Sequence, residues 1–106
     1  MAHPPATMAE RLSQLRRAGI LRTLATMPGY RANERILHDV VADDEALPCT
    51  RDQIRTEMHW LGDQGYITLT SVAGVVLVGE ITQTGLDYAE NRGPTPPGLA
   101  RPDAMR

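Results

Sequence analysis

Between Thr50 and Ile67 the apolar positions change from a helical rhythm to a strand rhythm within a few residues. Ile54, Met58 and Leu61 recur at i, i+4 and i+7, which places them on one buried helix face. Thr50 and Gln53 are spaced as a capping box, so the helix is expected to start there. Gly65 supplies the residue that most easily adopts a left-handed conformation and ends the helix near position 64. Tyr66-Ile-Thr-Leu-Thr70 then alternates and is rich in β-prone residues. Such a helix leaves Arg51, Asp52, Arg55, Thr56 and His59 facing outward.

Upstream, Leu12, Leu15, Ile20, Leu21 and Leu24 form a helical stripe from about Met8 to Met27, with Ala18 and Ala25 at small contacts. Gly19 costs about 1 kcal/mol against Ala in a helix interior, so a kink or break is expected there. Pro28-Gly29 stops the helix. Tyr30 to Ala32 read as a short link, and Asn33 as the N-cap of a second helix through about Val41. Ile36, Leu37, Val40 and Val41 supply its core face. Ala42 to Pro48 reads as an acidic loop. Downstream, strands at about Tyr66–Ser71 and Val75–Ile81 are joined around Ala73-Gly74, and the apolar run of the second suggests packing on both sides. A last helix begins near Thr82 or Thr84 and reaches Asn91. The pattern divides the chain into a flexible arm (1–7), a folded domain (8–92) and a Pro/Gly-rich, extended and mobile tail (93–106). The fold class is mainly α with a small β-hairpin: a winged helix-turn-helix, in the order helix, helix, recognition helix, two-stranded wing, helix.

Composition narrows the picture. The 106 residues suit one domain, and 42% apolar with 23% charged residues is ordinary for a globular protein. No apolar run approaches a membrane span and no signal-peptide pattern is visible, so a cytoplasmic protein without a membrane partner is expected. The single Cys49 excludes an internal disulfide and fits a reducing compartment. The net charge of −2 weighs modestly against DNA, because phosphate neutralisation supplies much of the affinity of duplex binders. All the basic side chains are arginine, which suits bidentate contact with guanine or phosphate but also follows from GC-rich coding.

Two phrases resemble known regulators. Ile81-Thr82-Gln83-Thr84-Gly85 resembles the segment that closes the wing in MarR-like and ArsR-like proteins, and WLGDQGYITL resembles the exit of their recognition helices. A narrower resemblance covers most of the chain. RAGILRTLATMPGYRANERIL, TRDQIRTEMHWLGDQGYITL, ITQTGLDYA and PPGLARP are similar to small winged-helix proteins, commonly labelled ArsR-like, of Mu-like phages and prophages. Pro28 to Asn33 and Pro97 to Pro102 are its more specific parts. The resemblance implies a phage-encoded winged helix and brings no operator, ligand or catalytic residue.

The candidate chemistry is DNA recognition. Arg51 and Arg55 share one helix face and are placed to reach base edges or phosphates, with Thr56 and His59 beside them. Asp52 and Glu57 oppose a phosphate backbone. Arg16 and Arg17, with Arg22, form a basic cluster on the first helix that either tracks phosphate or is simply solvated. The wing tip, Ser71 to Gly74, has no cation to grip DNA. Trp60 falls beside the core stripe and suits packing against the wing or final helix, or a dimer contact. The scattered His3, His38 and His59, the lone Cys49 and the acidic run Asp43 to Glu45 lack metal-site spacing, so no metal or cofactor is expected. No phosphate-cradling loop or nucleophile elbow is present, and no catalytic residue is assigned. Two functions remain open. One is a homodimeric DNA-binding transcriptional regulator that reads the major groove with helix 50–64. The other is a protein–protein module in phage gene control or particle assembly, binding another phage protein without DNA.

Overall fold

Helix α1 (Met8–Thr26) is the post against which the other elements lean. In the computed structural model, which describes residues 5–103, its second half is buried on nearly every side, from Ala18 through Leu24. The expected stripe is therefore wider than one face, because the third helix, the fourth helix and the last strand all pack on α1. Gly19 causes no break. A Cβ there would lie 3.3 Å from Val41 Cγ2, so the glycine lets the turn that follows the second helix approach closely. Residues 1–4 of the expected arm, His3 among them, and residues 104–106 of the tail lie outside the described residues.

Pro28–Tyr30 make a tight turn in which Gly29 and Tyr30 have φ of +71° and +59°. The next residues correct the sequence reading: strand β1 (Arg31–Asn33) replaces the expected link. Asn33 then caps helix α2 (Glu34–Asp39), its side chain accepting from the Ile36 N–H at 2.9 Å. The chain continues through a π-helical turn, Val40–Asp44, before reaching α3 (Arg51–Asp63). Both ends of α3 form as the sequence predicts. The Thr50 hydroxyl accepts from Gln53 N–H while the Gln53 side chain accepts from Thr50 N–H. At the far end Gly65, with φ of +84°, closes a Schellman motif in which Tyr66 N–H donates to Leu61 and Gly65 N–H to Gly62.

Strands β2 (Ile67–Val72) and β3 (Val76–Ile81) turn at Ala73 and Gly74, both left-handed. The sheet has three antiparallel strands in the order β1-β3-β2, with Arg31 opposite Glu80 and Ile67 opposite Ile81. The hairpin is thus two-thirds of a sheet, with β3 at its centre. Leu77, Gly79 and Ile81 of β3 face the core, while Val76 and Val78 are half-buried and Glu80 is exposed. The strand is therefore fully packed on one face only, whereas its apolar run suggested both. Helix α4 (Gln83–Ala89) is capped by Thr82. That hydroxyl accepts from Gly85 N–H and donates to the Gly65 carbonyl at 2.7 Å, tying the end of β3 to the exit of α3. Four helices and a small three-stranded antiparallel sheet are compatible with a winged-helix-like arrangement.

The Pro/Gly-rich segment lacks regular structure, as expected, but it is seated rather than loose. Leu99 is 5% exposed, and Ala100 N–H approaches the Gln14 carbonyl at 3.4 Å. Arg22 donates to the Pro102 carbonyl at 3.0 Å, and the Tyr88 hydroxyl donates to the Ala100 carbonyl. Residues 96–102 form a strap across α1. Among the described residues, no helix is long and apolar enough to cross a membrane.

Candidate nucleic-acid interface

The outward face of α3 begins with Arg51 and Arg55, one turn apart and 42% and 39% exposed in their side chains. They share a carboxylate that the sequence reading missed. Glu34, at the start of α2, is completely buried, and both its oxygens accept from Arg55 Nη1, at 2.8 and 3.0 Å. Oε1 also accepts from Leu77 N–H of β3 at 3.0 Å, and Arg51 Nε stands 3.6 Å from Oε2. Burial acts to raise the Glu34 pKa. The Leu77 hydrogen bond and the charges of Arg55 and Arg51 outweigh it and hold the carboxyl below its usual value. Thr56 and His59 are exposed as expected, and the Thr56 hydroxyl donates to the Asp52 carbonyl at 3.0 Å. Asp52 is exposed on the same surface.

The second arginine pair is placed differently. Arg16 and Arg17, expected as a phosphate-tracking or solvated cluster, turn inward onto Glu57 of α3. Arg16 Nε and Nη2 reach Glu57 Oε2 at 3.1 and 3.0 Å, and Arg17 Nε reaches Oε1 at 2.9 Å. Glu57 is 2% exposed, so it opposes no external phosphate; it is the internal counter-charge of α1. Arg22, third of the cluster, pairs with Glu45 at 2.7 Å. The signal for both carboxylates was present in the spacing. Glu57 stands three residues after Ile54 and four before Leu61, and Glu34 stands three and seven before Leu37 and Val41, so each lies on an apolar stripe.

Arg17 also anchors the strap. Its Nη1 donates to the Gly98 carbonyl at 2.9 Å, and its guanidinium lies 4.0 Å from the centroid of the Trp60 ring. Tyr66 stacks near the same indole at 6.2 Å. Trp60 is thus half-buried beneath strap and arginine, with Tyr66 at the entry to the hairpin beside it. Among the described residues no three His, Cys, Asp or Glu side chains gather as a metal cluster. The His38 ring lies 2.9 Å from the Cys49 carbonyl, and burial pushes the Cys49 thiol pKa up against the Arg16 charge.

Surface and core together describe a small mixed α/β protein whose paired arginines on α3 are braced from within. The chain is 35% identical over 91 residues to an uncharacterized protein, gp26, of Escherichia phage Mu, covering 86% of this chain and 91% of that one. It is 34% identical over 93 residues to an uncharacterized protein of Haemophilus influenzae, covering 83% and 89%. The chain belongs to the family of these two proteins, and the Mu relative gives it a phage association. No protein-family model matches the chain. No solved structure matches it.

Proposed function

We propose that this protein is a phage-encoded DNA-binding regulator of winged helix-turn-helix type, related to ArsR-like proteins, that sets the first half of α3 in the major groove. One observation carries the reading: Arg51 and Arg55 lie one turn apart on the exposed start of α3, both braced by Glu34. Paired guanidiniums in that position match the way such a helix meets base edges and phosphates. Thr56 and His59 extend the same surface. Arg16 and Arg17 then act as internal braces rather than contacts. A homodimer built on α1 and α4 would form with the strap in place, since residues 96–102 already cover part of α1.

The test is fluorescence anisotropy with labelled duplexes from around the protein's own gene, compared with random DNA and titrated with salt. Tight binding to one fragment with a clear salt slope is expected. Arg51→Ala should weaken it by about 1–3 kcal/mol and relax base preference. Unchanged affinity in that variant would remove α3 from the interface.

A second reading, a module that binds another phage protein, draws on the hairpin tip. Val72 and Val75 are 50% and 68% exposed there, on a tip whose own residues include no Arg or Lys, although Arg55 of α3 reaches the Val75 carbonyl at 3.4 Å. In that case no duplex binds at low salt, and Val75→Asp abolishes partner capture.

A further inference from the structure

We propose that Glu34 is a positioning residue for the α3 face, holding Arg51 and Arg55 in one posture so that the pair discriminates between sequences rather than merely attracting phosphate. This rests on the DNA-binding reading and assigns a role to a residue that no outward-facing pattern would select.

The geometry has three parts. Glu34 belongs to α2, its arginine partners to α3 and its amide partner Leu77 to β3, so one carboxylate ties three elements at the point where α3 becomes exposed. Two guanidiniums one turn apart repel each other, and a carboxylate shared between them removes that repulsion while fixing both. Among the described residues, every internal hydrogen bond of Arg55 uses Nη1, to Glu34 and, at 3.4 Å, to the Val75 carbonyl. Nε and Nη2 remain for a ligand, in a fork whose orientation is already set. The structural part of this contact is the acceptor that Leu77 N–H needs, which a neutral side chain could supply. A full buried charge, with its larger desolvation cost, is called for only by the two guanidiniums.

The charge balance sets the expected phenotype. Two arginines and their shared carboxylate carry a net charge of +1, which the exposed Asp52 on the same surface offsets. Glu34→Gln keeps the shape, raises the local charge by one and loosens both arginines. Affinity for random duplex should rise and its salt dependence should steepen by up to about one unit of slope. The ratio of specific to random affinity should fall roughly tenfold. Opposite movement of the two affinities is the signature, because a variant that is merely less stable loses both together.

The experiment measures wild type and Glu34→Gln by anisotropy on the selected fragment and on random duplex across a salt series. It is joined by nitrogen-15 NMR of arginine side chains in the wild-type protein. Restricted guanidinium rotation at Arg55, compared with the exposed Arg35, supports the proposal even if the variant does not fold. Equal mobility at the two positions overturns it. Wild-type binding with parallel loss of both affinities in a folded variant overturns this inference alone. No wild-type binding to any duplex overturns the DNA-binding reading and this inference with it.

Discussion

Gly98 and Gly93 offer a matched pair of substitutions that isolates what seats the strap. Both glycines have φ of +86°, so an alanine at either meets the same backbone penalty of about 1 kcal/mol. Their surroundings differ. A Cβ at Gly93 meets nothing within 4 Å, whereas one at Gly98 would stand 2.5 Å from Trp60 Cζ2 and 2.8 Å from Cη2. Gly98→Ala must therefore push either the indole or the strap aside, at an overpacking cost of about 1–3 kcal/mol. The expected total is about 1 kcal/mol for Gly93→Ala and about 2–4 kcal/mol for Gly98→Ala. For a domain of this size the latter lowers Tm on the order of 10–20 °C. Urea unfolding followed by tryptophan emission reads both quantities, because Trp60 is the one tryptophan in the chain. Gly98→Ala should also shift native emission to the red and make it easier to quench, while Gly93→Ala leaves it unchanged. Equal destabilisation by the two variants, with native emission the same in both, would show that the strap does not rest on the indole.

Three other perturbations test separate parts of the structure. Glu57→Gln should destabilise by about 3–5 kcal/mol in urea titration, because it leaves Arg16 and Arg17 without their shared counter-charge; a change within experimental error would return Glu57 to the surface. Gly85→Ala should destabilise by about 2–4 kcal/mol, although glycine to alanine within a helix ordinarily stabilises, since the new methyl would meet the Tyr66 carbonyl oxygen and stand 2.6 Å from Ile81 Cγ1. Burial pushes the Tyr88 phenol up to about 12 against the opposing charge of Arg22. The folded state keeps that proton after the unfolded chain loses it near pH 10, so Tyr88 contributes stability below pH 10 that is lost as pH rises toward 12. Ultraviolet titration should show one late tyrosinate transition coinciding with loss of the Ala100 contact, and Tyr88→Phe should remove that transition.

What the sequence disclosed was chiefly local. Thr50 with Gln53 and Gly65 with the residues before it place their own hydrogen bonds within a single turn, so both ends of α3 were legible from spacing. Asn33 as a cap follows the same logic. Strand β1 was hidden because three residues carry too little alternation to read, and its partner lies more than forty residues away at Val78 to Glu80. The strap was hidden because prolines and glycines are also the composition of loose chain. Its fixation depends on Arg17, Gln14, Arg22 and Tyr88 meeting it from other elements. For the candidate site, the exposed positions of α3 were legible from the helical period. Of the two carboxylates beneath, Glu34 went unread and Glu57 was expected to face phosphate, because charge ordinarily marks the surface, although both sit on apolar stripes. Of the four arginines expected to meet DNA, two are placed outward and two are turned in, a division set by those acids.

The consequence of the two shared carboxylates is mechanical. Glu57 fastens α3 to α1, and Glu34 fastens it to α2 and the central strand, so α3 is pinned at two heights to separate neighbours. A helix held that way cannot roll or slide to suit a partner without opening a buried ion pair. Association through it would resemble the docking of a finished part, with little change in amide exchange within the helices and a heat-capacity change that follows contact area alone. The cations in both fasteners are guanidiniums, which stay protonated throughout any mild pH range. From the arginine side, then, the pins have no release.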